Sequence, residues 1–130
     1  MRALVVDDEP GCSTVIQKML APHADADIAE DVSDAIACFE SAHESGEPYH
    51  LICLDLCLPS GSGHDVLDWI RHREDEFAIP QEQRAKVFIT SSQYDPENVS
   101  KAYRSLCHEF LEKPFERREL LELLQTHNLM

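Results

Sequence analysis

Short apolar segments alternate along this chain with longer stretches in which apolar residues recur every three or four positions. The short segments, which resemble β-strands in length and composition, are Met1–Val6, Asp25–Ala29, Leu51–Leu54, Val87–Ile89 and Phe110–Leu111. Each is followed by a stretch with helical spacing, such as that of Val32, Ala35, Ile36 and Phe39. Five strand–helix units in a row predict an α/β domain with a five-stranded parallel sheet, helices on both faces and right-handed crossovers.

Proline and aspartate mark where several of the predicted helices begin. Pro10 opens the first helix, because a proline in the first turn removes no helical hydrogen bond. Asp31 is the predicted N-cap of the second helix, and Asp95 with Pro96 starts the fourth. The fifth and last helix is predicted over Glu116–Gln125. These boundaries leave a short loop after each strand.

One connection is longer than is usual in such folds. It is the charged stretch Arg71–Lys86, which contains Pro80 and lies between the third helix and the fourth strand. Its composition favours a solvated loop or helix extension over an insertion that serves a particular partner.

Residues suited to phosphate or metal chemistry follow four of the predicted strands. Asp7 and Asp8 end the first strand, Asp55 the third, Thr90 the fourth and Lys113 the fifth. In an open parallel sheet, ligands bind beyond the carboxyl ends of the strands, so we expect these side chains to meet at one edge. Clustered carboxylates disfavour one another's ionisation. A hard divalent cation such as Mg²⁺ resolves that conflict.

Length and charge exclude several classes of protein. The 130 residues predict a single domain, and a second domain has no room. Lys and Arg number 11 against 25 Asp and Glu, for a net charge of -14. Proteins that bind nucleic acid neutralise phosphates with clustered cations, so contact with DNA or RNA is not expected.

Cysteine usage and hydropathy indicate the compartment. The five cysteines form no CxxC pair, and most lie within apolar runs, as small buried residues do. The N-terminus shows no cleavable signal pattern, and no apolar run is long enough to cross a bilayer. We therefore expect a reduced, cytoplasmic protein without a membrane segment.

The motifs at the strand ends resemble those of a known family. VVDDEP, LDLCLPSGSG, ITSS and EKPF occur in the order and at the strand ends found in the receiver domain of two-component response regulators. The resemblance covers essentially the whole chain and is closest in kind to stand-alone, chemotaxis-regulator-like members. It implies a flavodoxin-like fold with strand order 2-1-3-4-5, and one receiver domain over residues 1–130 without an output domain.

The resemblance also implies an acceptor and a metal site. Asp55 is the expected phosphoacceptor, which forms an aspartyl phosphate as a covalent intermediate does. Asp8 and Asp55 are the expected direct ligands of Mg²⁺, with Asp7 acting mainly through water and the backbone carbonyl of Cys57 completing the protein ligands. Such a protein accepts and loses its own phosphoryl group and turns over no separate substrate.

Three further residues gain roles from the same resemblance. Lys113, before a cis peptide bond to Pro114, places an ammonium against the phosphoryl oxygens, and the Thr90 hydroxyl donates a hydrogen bond to them. Thr90 and Phe110 form the expected switch, in which Thr90 moves toward the phosphoryl group and Phe110 packs inward. Many family members have tyrosine at the position of Phe110, and phenylalanine lacks that hydroxyl.

The implied partners are proteins. A sensor histidine kinase or a phosphotransfer protein supplies the phosphoryl group, and a downstream target reads the changed face. That face is expected over Glu97–Gln125, with Tyr103, Arg104, Arg117 and Arg118 as exposed candidates. A homodimer through the fourth helix, fifth strand and fifth helix is a further expectation.

Two of three rival functions do not fit the motifs. A phosphatase with an aspartate nucleophile needs Asp-x-Asp, but Asp55-Leu56-Cys57 lacks the second acid. A flavin or nucleotide binder needs a phosphate-binding first loop rich in Gly, Ser or Thr, whereas this loop is acidic. A receiver-shaped scaffold for protein interactions that is not regulated by phosphorylation stays open as the alternative.

Overall fold

The computed structural model describes residues 1–130 and contains seven strands and five α-helices. The strands are β1 (Arg2–Val6), β2 (Asp25–Ala29), β3 (Leu51–Leu54), β4 (Cys57–Leu58), β5 (Gly61–Ser62), β6 (Lys86–Ser91) and β7 (Glu109–Glu112). The helices are α1 (Pro10–Leu20), α2 (Val32–Glu44), α3 (Gly63–Glu76), α4 (Pro96–Arg104) and α5 (Arg117–Thr126), and Gln81–Gln83 form a 3-10 turn. None of the helices has the length and apolar character needed to cross a membrane.

The main sheet confirms the predicted fold. Its order is β2-β1-β3-β6-β7, all parallel, which is the expected 2-1-3-4-5 arrangement once the small hairpin of β4 and β5 is set aside. Val6 pairs with Leu54, and Leu54 pairs with Ile89, so these strands end at nearly the same level. The residues that follow them therefore emerge side by side at one edge.

Two apolar clusters, one on each face of the sheet, form the core. Because successive strand residues point to opposite faces, Leu4 and Val6 belong to one cluster and Ala3 and Val5 to the other. The first cluster includes residues of α2 and α3, among them Phe39, Leu67 and Ile70. The second includes residues of α1 and α5, among them Ile16, Leu20, Leu120 and Leu124. The central strands thus bury both of their faces.

Polar caps place the helix starts close to the predicted positions. The Asp31 side chain accepts a hydrogen bond from the backbone N–H of Asp34 at 2.8 Å, and Asp95 caps α4 in the same way. The third helix begins at Gly63, before the first of its apolar positions, Val66, Leu67 and Ile70. Ser62 caps it through a capping box with Asp65, so α3 starts directly after the hairpin.

Four helices end in the same type of turn. In each, the second residue beyond the helix is left-handed, at Gly46, Ala78, Leu106 and Asn128, with φ of 77°, 55°, 68° and 57°. Each of these residues donates its N–H to a helix carbonyl, and so does the next residue along the chain. For α4 these bonds run from Leu106 to Tyr103 and from Cys107 to Ala102, both at 3.1 Å. This is the Schellman motif, which favours glycine at the left-handed position.

The long charged connection is partly a helix extension, as predicted, but it is not uniformly solvated. Arg71 and Glu74 of α3 are buried, and their charged groups lie 2.6 Å apart. Arg71 also donates to the carbonyls of Ala85 and Leu106, while Glu74 accepts the N–H of Ala85. The ion pair therefore ties the end of α3 to the start of β6 and to the turn after α4.

A half-buried imidazole completes this polar group. The Nδ1 atom of His108 accepts the N–H of Val87 at 3.1 Å and lies 3.4 Å from the Arg71 guanidinium. Burial, together with the nearby charge of Arg71, lowers the pKa of His108 to about 4, so the ring is neutral at pH 7. A neutral imidazole can accept hydrogen bonds at Nδ1, whereas a protonated imidazole would be repelled by the Arg71 guanidinium.

We expect Arg71→Met to lower the free energy of unfolding by about 3 to 5 kcal/mol, because it leaves the Glu74 carboxylate buried without its partner. Adding Glu74→Gln should recover part of that loss, since the amide oxygen still accepts from Ala85. Urea unfolding measures both effects. Arg73→Met is the control, because its ion pair with Glu40 is more exposed and should contribute little to stability. Equal losses for Arg71→Met and Arg73→Met would contradict this account.

Candidate functional site

Two aspartates are held at the sheet edge by the backbone of neighbouring strands. The N–H of Asp7 donates to the carbonyl of Ala29 at 3.0 Å, and the N–H of Asp55 donates to the carbonyl of Val6 at 2.9 Å. The parallel hydrogen-bond ladder thus continues one residue beyond β1 and β3. As a result, both carboxyl groups start from fixed backbone positions.

The predicted acids form one cluster. Carboxylate oxygens of Asp7, Asp8 and Asp55 lie within 4.8 Å of one another. Asp7 is 1% exposed and Asp55 is 7% exposed, whereas Asp8 faces solvent. Burial raises the pKa of Asp55 above its ordinary value; the Lys113 charge opposes this shift and the Asp7 charge reinforces it. Three closely spaced carboxylates, one of them open to solvent, fit the oxygen ligands that Mg²⁺ prefers.

Lys113 lies between the two buried acids. Its Nζ atom donates to Asp7 Oδ2 at 2.6 Å and to Asp55 Oδ2 at 3.3 Å. Its own N–H donates to the carbonyl of Ser91 at 2.8 Å, and its peptide bond to Pro114 is cis. Burial lowers the pKa of Lys113, but the hydrogen bond to Asp7 and the charge of Asp55 outweigh it and raise the pKa overall. The ammonium is therefore charged and directed at the candidate acceptor.

The Thr90 hydroxyl is buried without a hydrogen-bond partner. Thr90 is 1% exposed and lies one residue beyond Ile89, which pairs with Leu54 in β3. This register puts it level with Asp55. An unsatisfied buried hydroxyl is costly and is rare in folded proteins. A phosphoryl oxygen at Asp55 is the kind of acceptor that this donor lacks.

Phe110 is half-buried at the outer side of the sheet. It packs against the core cluster formed with α2 and α3, and its ring meets Tyr94 edge-on at 5.4 Å between centroids. Sequence reasoning identified Phe110 but not Tyr94, which lies in the loop after β6. No spacing pattern in the sequence connects the two residues.

Gly63 allows α3 to lie close to Asp55. A Cβ atom at this position would lie 2.2 Å from the carbonyl oxygen of Asp55, so only glycine fits. The Gly63 N–H also donates to the carbonyl of Leu56 at 2.9 Å. The cluster of proline, serine and glycine at residues 59–63 predicts a loop, but Gly63 is the first residue of α3 and lets the helix approach Asp55 closely.

The Cys57 side chain is exposed beside Asp55. Its backbone N–H donates to Asp55 Oδ1 at 3.3 Å, and its sulfur accepts a hydrogen bond from the side-chain amide of Gln93. Gln93 therefore bridges the loop after β6 to the loop after β3, a contact that the sequence did not indicate.

A cleft of about 740 Å³ opens from the acid cluster along α1. Asp8, Asp55 and Lys113 form its polar end. The remaining wall is mainly apolar and includes Val15, Ile16, Met19, Leu58, Pro59 and Phe115. Val15 shares the helical spacing of Ile16, Met19 and Leu20, which predicts an inward position, yet it is 50% exposed in the cleft. The cleft therefore gives access to Asp55 from solvent.

Comparison with known proteins identifies related sequences. Residues 3–125 match the family model of the response regulator receiver domain. The chain is 29% identical to hybrid signal transduction histidine kinase L of Dictyostelium discoideum, over 97% of this chain and 7% of that protein. It is 31% identical to transcriptional regulatory protein DltR of Streptococcus agalactiae, over 93% of this chain and 49% of that protein. The chain spans about half or less of the length of the curated relatives it matches.

Solved structures share the fold. The signal receiver domain of a LuxO repressor protein from Vibrio parahaemolyticus superposes with a TM-score of 0.78 at 28% identity, over 97% of this chain and 88% of that one. A CheY-like receiver domain protein from Methanospirillum hungatei gives a TM-score of 0.81 at 21% identity, over 98% and 92% of the two chains. At 21% identity the second likeness concerns the fold alone.

The family match brings general properties with it. Receiver domains are phosphoacceptors that in general turn over no separate substrate, bind Mg²⁺ at an acidic pocket and interact with histidine kinases or phosphotransfer proteins. The sheet order and the family model over nearly the whole length agree, and this chain belongs to the response regulator receiver domain family.

Proposed function

We propose that Asp55 accepts a phosphoryl group from the phosphohistidine of a sensor histidine kinase or phosphotransfer protein. One observation carries the proposal: a charged lysine 3.3 Å from a buried aspartate that already belongs to a carboxylate cluster. In the reaction a carboxylate oxygen of Asp55 forms a bond to phosphorus while the P–N bond of the donor breaks. The donor imidazole leaves with the electron pair of that bond and keeps a proton.

The acid cluster would hold Mg²⁺ during this transfer. Asp8 and Asp55 would be direct ligands, Asp7 would act through water, and the backbone carbonyl of Cys57 would complete the protein ligands. When bound, the ion neutralises the charge that builds up on the phosphoryl oxygens. The proposal is supported by three carboxylates within 4.8 Å, whose combined negative charge the single ammonium of Lys113 balances only in part.

Lys113 and Thr90 would stabilise the phosphoryl group from the protein side. Lys113 Nζ is 3.3 Å from Asp55 Oδ2, so a phosphoryl group on that carboxylate comes within reach of the ammonium. The unpartnered Thr90 hydroxyl would donate to another phosphoryl oxygen. Fixed donors aimed at the developing charge are the main source of catalysis in such transfers.

Phosphorylation of Asp55 would be transmitted to the protein surface by conformational changes of Thr90 and Phe110. A shift of Thr90 toward the phosphoryl group frees space beside Phe110, which is half-buried and packs on Tyr94. We infer that a downstream protein reads the change at the surface of α4, β7 and α5, which is also the surface for a homodimer.

The interaction scaffold without phosphorylation gains no support from the site, because the acids, lysine and threonine converge as phosphoryl acceptance requires. We also infer a cytoplasmic setting, which is consistent with five cysteines that are all free.

Incubation with Mg²⁺ and acetyl phosphate should add the mass of one phosphoryl group to the intact protein. Asp55→Asn should abolish the adduct, and so should removal of Mg²⁺ with a chelator. Intact-mass spectrometry measures the outcome. An adduct that persists in the Asp55→Asn protein would show that another residue accepts the phosphoryl group. A folded, Mg²⁺-binding wild type that gains no adduct from acetyl phosphate or from a panel of kinases would support the scaffold instead.

Lys113→Met should slow phosphorylation by acetyl phosphate about 100-fold, because it removes the fixed positive charge beside the phosphoryl group. The rate is followed as growth of the adduct with time at saturating Mg²⁺. Lys86→Met, which changes a lysine that forms no ion pair, is the control and should react at the wild-type rate. Equal rates for the wild type, Lys113→Met and Lys86→Met would show that Lys113 does not contribute to the reaction.

Without Mg²⁺, Asp55→Asn should stabilise the fold near neutral pH by on the order of 1 kcal/mol, or about 4 °C in melting temperature. The raised pKa of Asp55, caused first by burial, means that the folded state binds the proton more tightly than the unfolded state. Stability of the wild type therefore falls as pH rises from the ordinary carboxyl pKa through the raised one.

The difference in stability between Asp55→Asn and the wild type should therefore decrease as the pH is lowered toward 4. At neutral pH, the addition of Mg²⁺ should also decrease it. Thermal unfolding across pH measures it. Asp68→Asn, at an exposed acid on α3, should show no such pH-dependent gain. A variant that is less stable than the wild type at neutral pH would contradict this interpretation.

A further inference from the structure

A single side-chain hydrogen bond joins two of the loops that flank Asp55. The side-chain amide of Gln93, in the loop after β6, donates from Nε2 to the sulfur of Cys57, which follows β3, at 2.8 Å. Cys57 in turn donates its backbone N–H to Asp55 Oδ1 at 3.3 Å. Only one residue therefore separates the Gln93 amide from Asp55. The proposed phosphoryl transfer uses neither this amide nor the Cys57 sulfur.

Ser91 fixes the backbone on the Gln93 side of this contact. Ser91 is 1% exposed, and its hydroxyl accepts the N–H of Gln93 at 3.0 Å. The Ser91 carbonyl accepts the N–H of Lys113 at 2.8 Å. The same buried residue thus holds Gln93 and Lys113. A side chain that starts from a fixed backbone has less conformational freedom to lose when it forms a hydrogen bond.

The cleft along α1 shows how Gln93 can influence the chemistry at Asp55. Asp55, Cys57 and Ser92 line this cleft, whereas Gln93, the residue directly after Ser92, does not. The Gln93 side chain therefore contacts the wall of the cleft from outside its lining. Water in the cleft meets Cys57 and Ser92 and does not meet the Gln93 amide. This position suits a residue that holds the wall in place better than one that binds the water itself.

Hydrolysis of an aspartyl phosphate depends on access of water to phosphorus. The water oxygen forms a bond to phosphorus on the side opposite Asp55, while the P–O bond to Asp55 breaks. The Asp55 carboxylate leaves with the electron pair of that bond. Both protons of the water go to the inorganic phosphate, which then equilibrates with solvent. Loops that close around the phosphoryl group slow this reaction because they restrict the approach of water.

We propose that Gln93 is a positioning residue that prolongs the lifetime of the aspartyl phosphate. Its hydrogen bond to Cys57 holds the loops after β3 and β6 together beside Asp55, so that water reaches the phosphoryl group from the cleft alone. The inference rests on the proposed phosphorylation of Asp55 and adds the residue that controls how long the phosphoryl group persists. Sulfur is a weak acceptor, so we expect an effect of moderate size.

The first measurement tests the hydrogen bond in the unphosphorylated protein without Mg²⁺. The side-chain amide resonances of Gln93 are identified in NMR spectra by their absence from Gln93→Met, whose side chain has a similar length and cannot donate. Cys57→Ala should shift these resonances and speed the exchange of the amide protons with water, because the sulfur is removed. The side-chain amide of Gln83, exposed in the 3-10 turn, should not change. Identical Gln93 resonances in Cys57→Ala and the wild type would overturn the proposal.

The second measurement is the rate at which the phosphoryl group is lost. The adduct is formed with acetyl phosphate and Mg²⁺, the donor is removed by rapid desalting into the same Mg²⁺ buffer, and the intact mass is followed with time. Gln93→Met and Cys57→Ala should each lose the phosphoryl group about threefold to tenfold faster than the wild type, the factor that the usual net contribution of one hydrogen bond gives. The double variant should lose it no faster than either single variant, because both changes break the same bond.

The rate of phosphorylation separates this role from a general distortion of the site. Phosphorylation by acetyl phosphate depends on Lys113 and the acid cluster, which Gln93→Met does not alter. In this variant the rate of loss should therefore change by a larger factor than the rate of gain. Gln83→Met is the matched control and should equal the wild type in both rates. Equal changes of both rates in Gln93→Met would overturn the proposal.

The remaining outcomes distinguish this inference from the phosphorylation of Asp55 itself. An unchanged rate of loss in Gln93→Met would overturn the role of Gln93 and leave the phosphorylation of Asp55 supported. Slower loss would do the same, because it would mean that Gln93 assists the attacking water. A double variant whose rate is the product of the two single effects would show that Gln93 and Cys57 act separately. If the wild type gains no adduct from any donor, both proposals fail together.

Discussion

The functional edge of this protein depends on one ion pair, between Lys113 and Asp7. These residues follow the last and the first strand in sequence, and their charged groups lie 2.6 Å apart with almost no solvent access on the acid side. The pair draws Lys113 toward Asp55 as well. Without the ammonium, Asp7 and Asp55 would face each other as buried like charges. The positive charge that makes the cluster tolerable in the folded protein is also the charge that a phosphoryl group at Asp55 would meet.

This arrangement leaves the site incompletely satisfied. The shorter of the two hydrogen bonds from Lys113 goes to Asp7 and the longer one to Asp55. Asp55 keeps a raised pKa, and the Thr90 hydroxyl has no hydrogen-bond acceptor. A fold selected for stability alone would remove such conflicts, because buried polar groups are normally paired. Here each unsatisfied group has a partner in the phosphorylated, metal-bound site that we propose. The cost to stability and the capacity for chemistry thus reside in the same atoms.

The fold could be predicted from the sequence because its signals are local. Strand-like runs, helical spacing and caps such as Asp31 and Asp95 each act within a few residues, and their alternation determines the sheet type. Strand ends carrying Asp7, Asp55 and Thr90 gave the composition of the site, since parallel strands end at a common edge. Distances within the site, such as that from Lys113 to Asp7, depend on the register of distant strands and were not predictable.

Other features escaped prediction because they depend on tertiary contacts. Arg71 and Glu74 looked like surface charges until the turn after α4 and the start of β6 enclosed them. Gly63 looked like loop punctuation because the closeness of the Asp55 carbonyl appears only in three dimensions. Val15 has the right spacing for the core, but the cleft lies where a neighbouring element would have covered it. In each case the residue type was compatible with two environments, and the fold chose between them.

The two apolar clusters on opposite faces of the sheet have a consequence for the evolution of such a chain. The cleft along α1 belongs to one side, whereas α3, α4 and the Leu106 turn belong to the other. Only alternate residues of the same strands connect the two sides. Substitutions that adapt the cleft to a new donor therefore disturb the opposite side little, and the reverse holds as well. Duplicated copies of a receiver domain could therefore acquire new phosphoryl donors and new target proteins in separate steps, while the chemistry proposed for Asp55 stays the same.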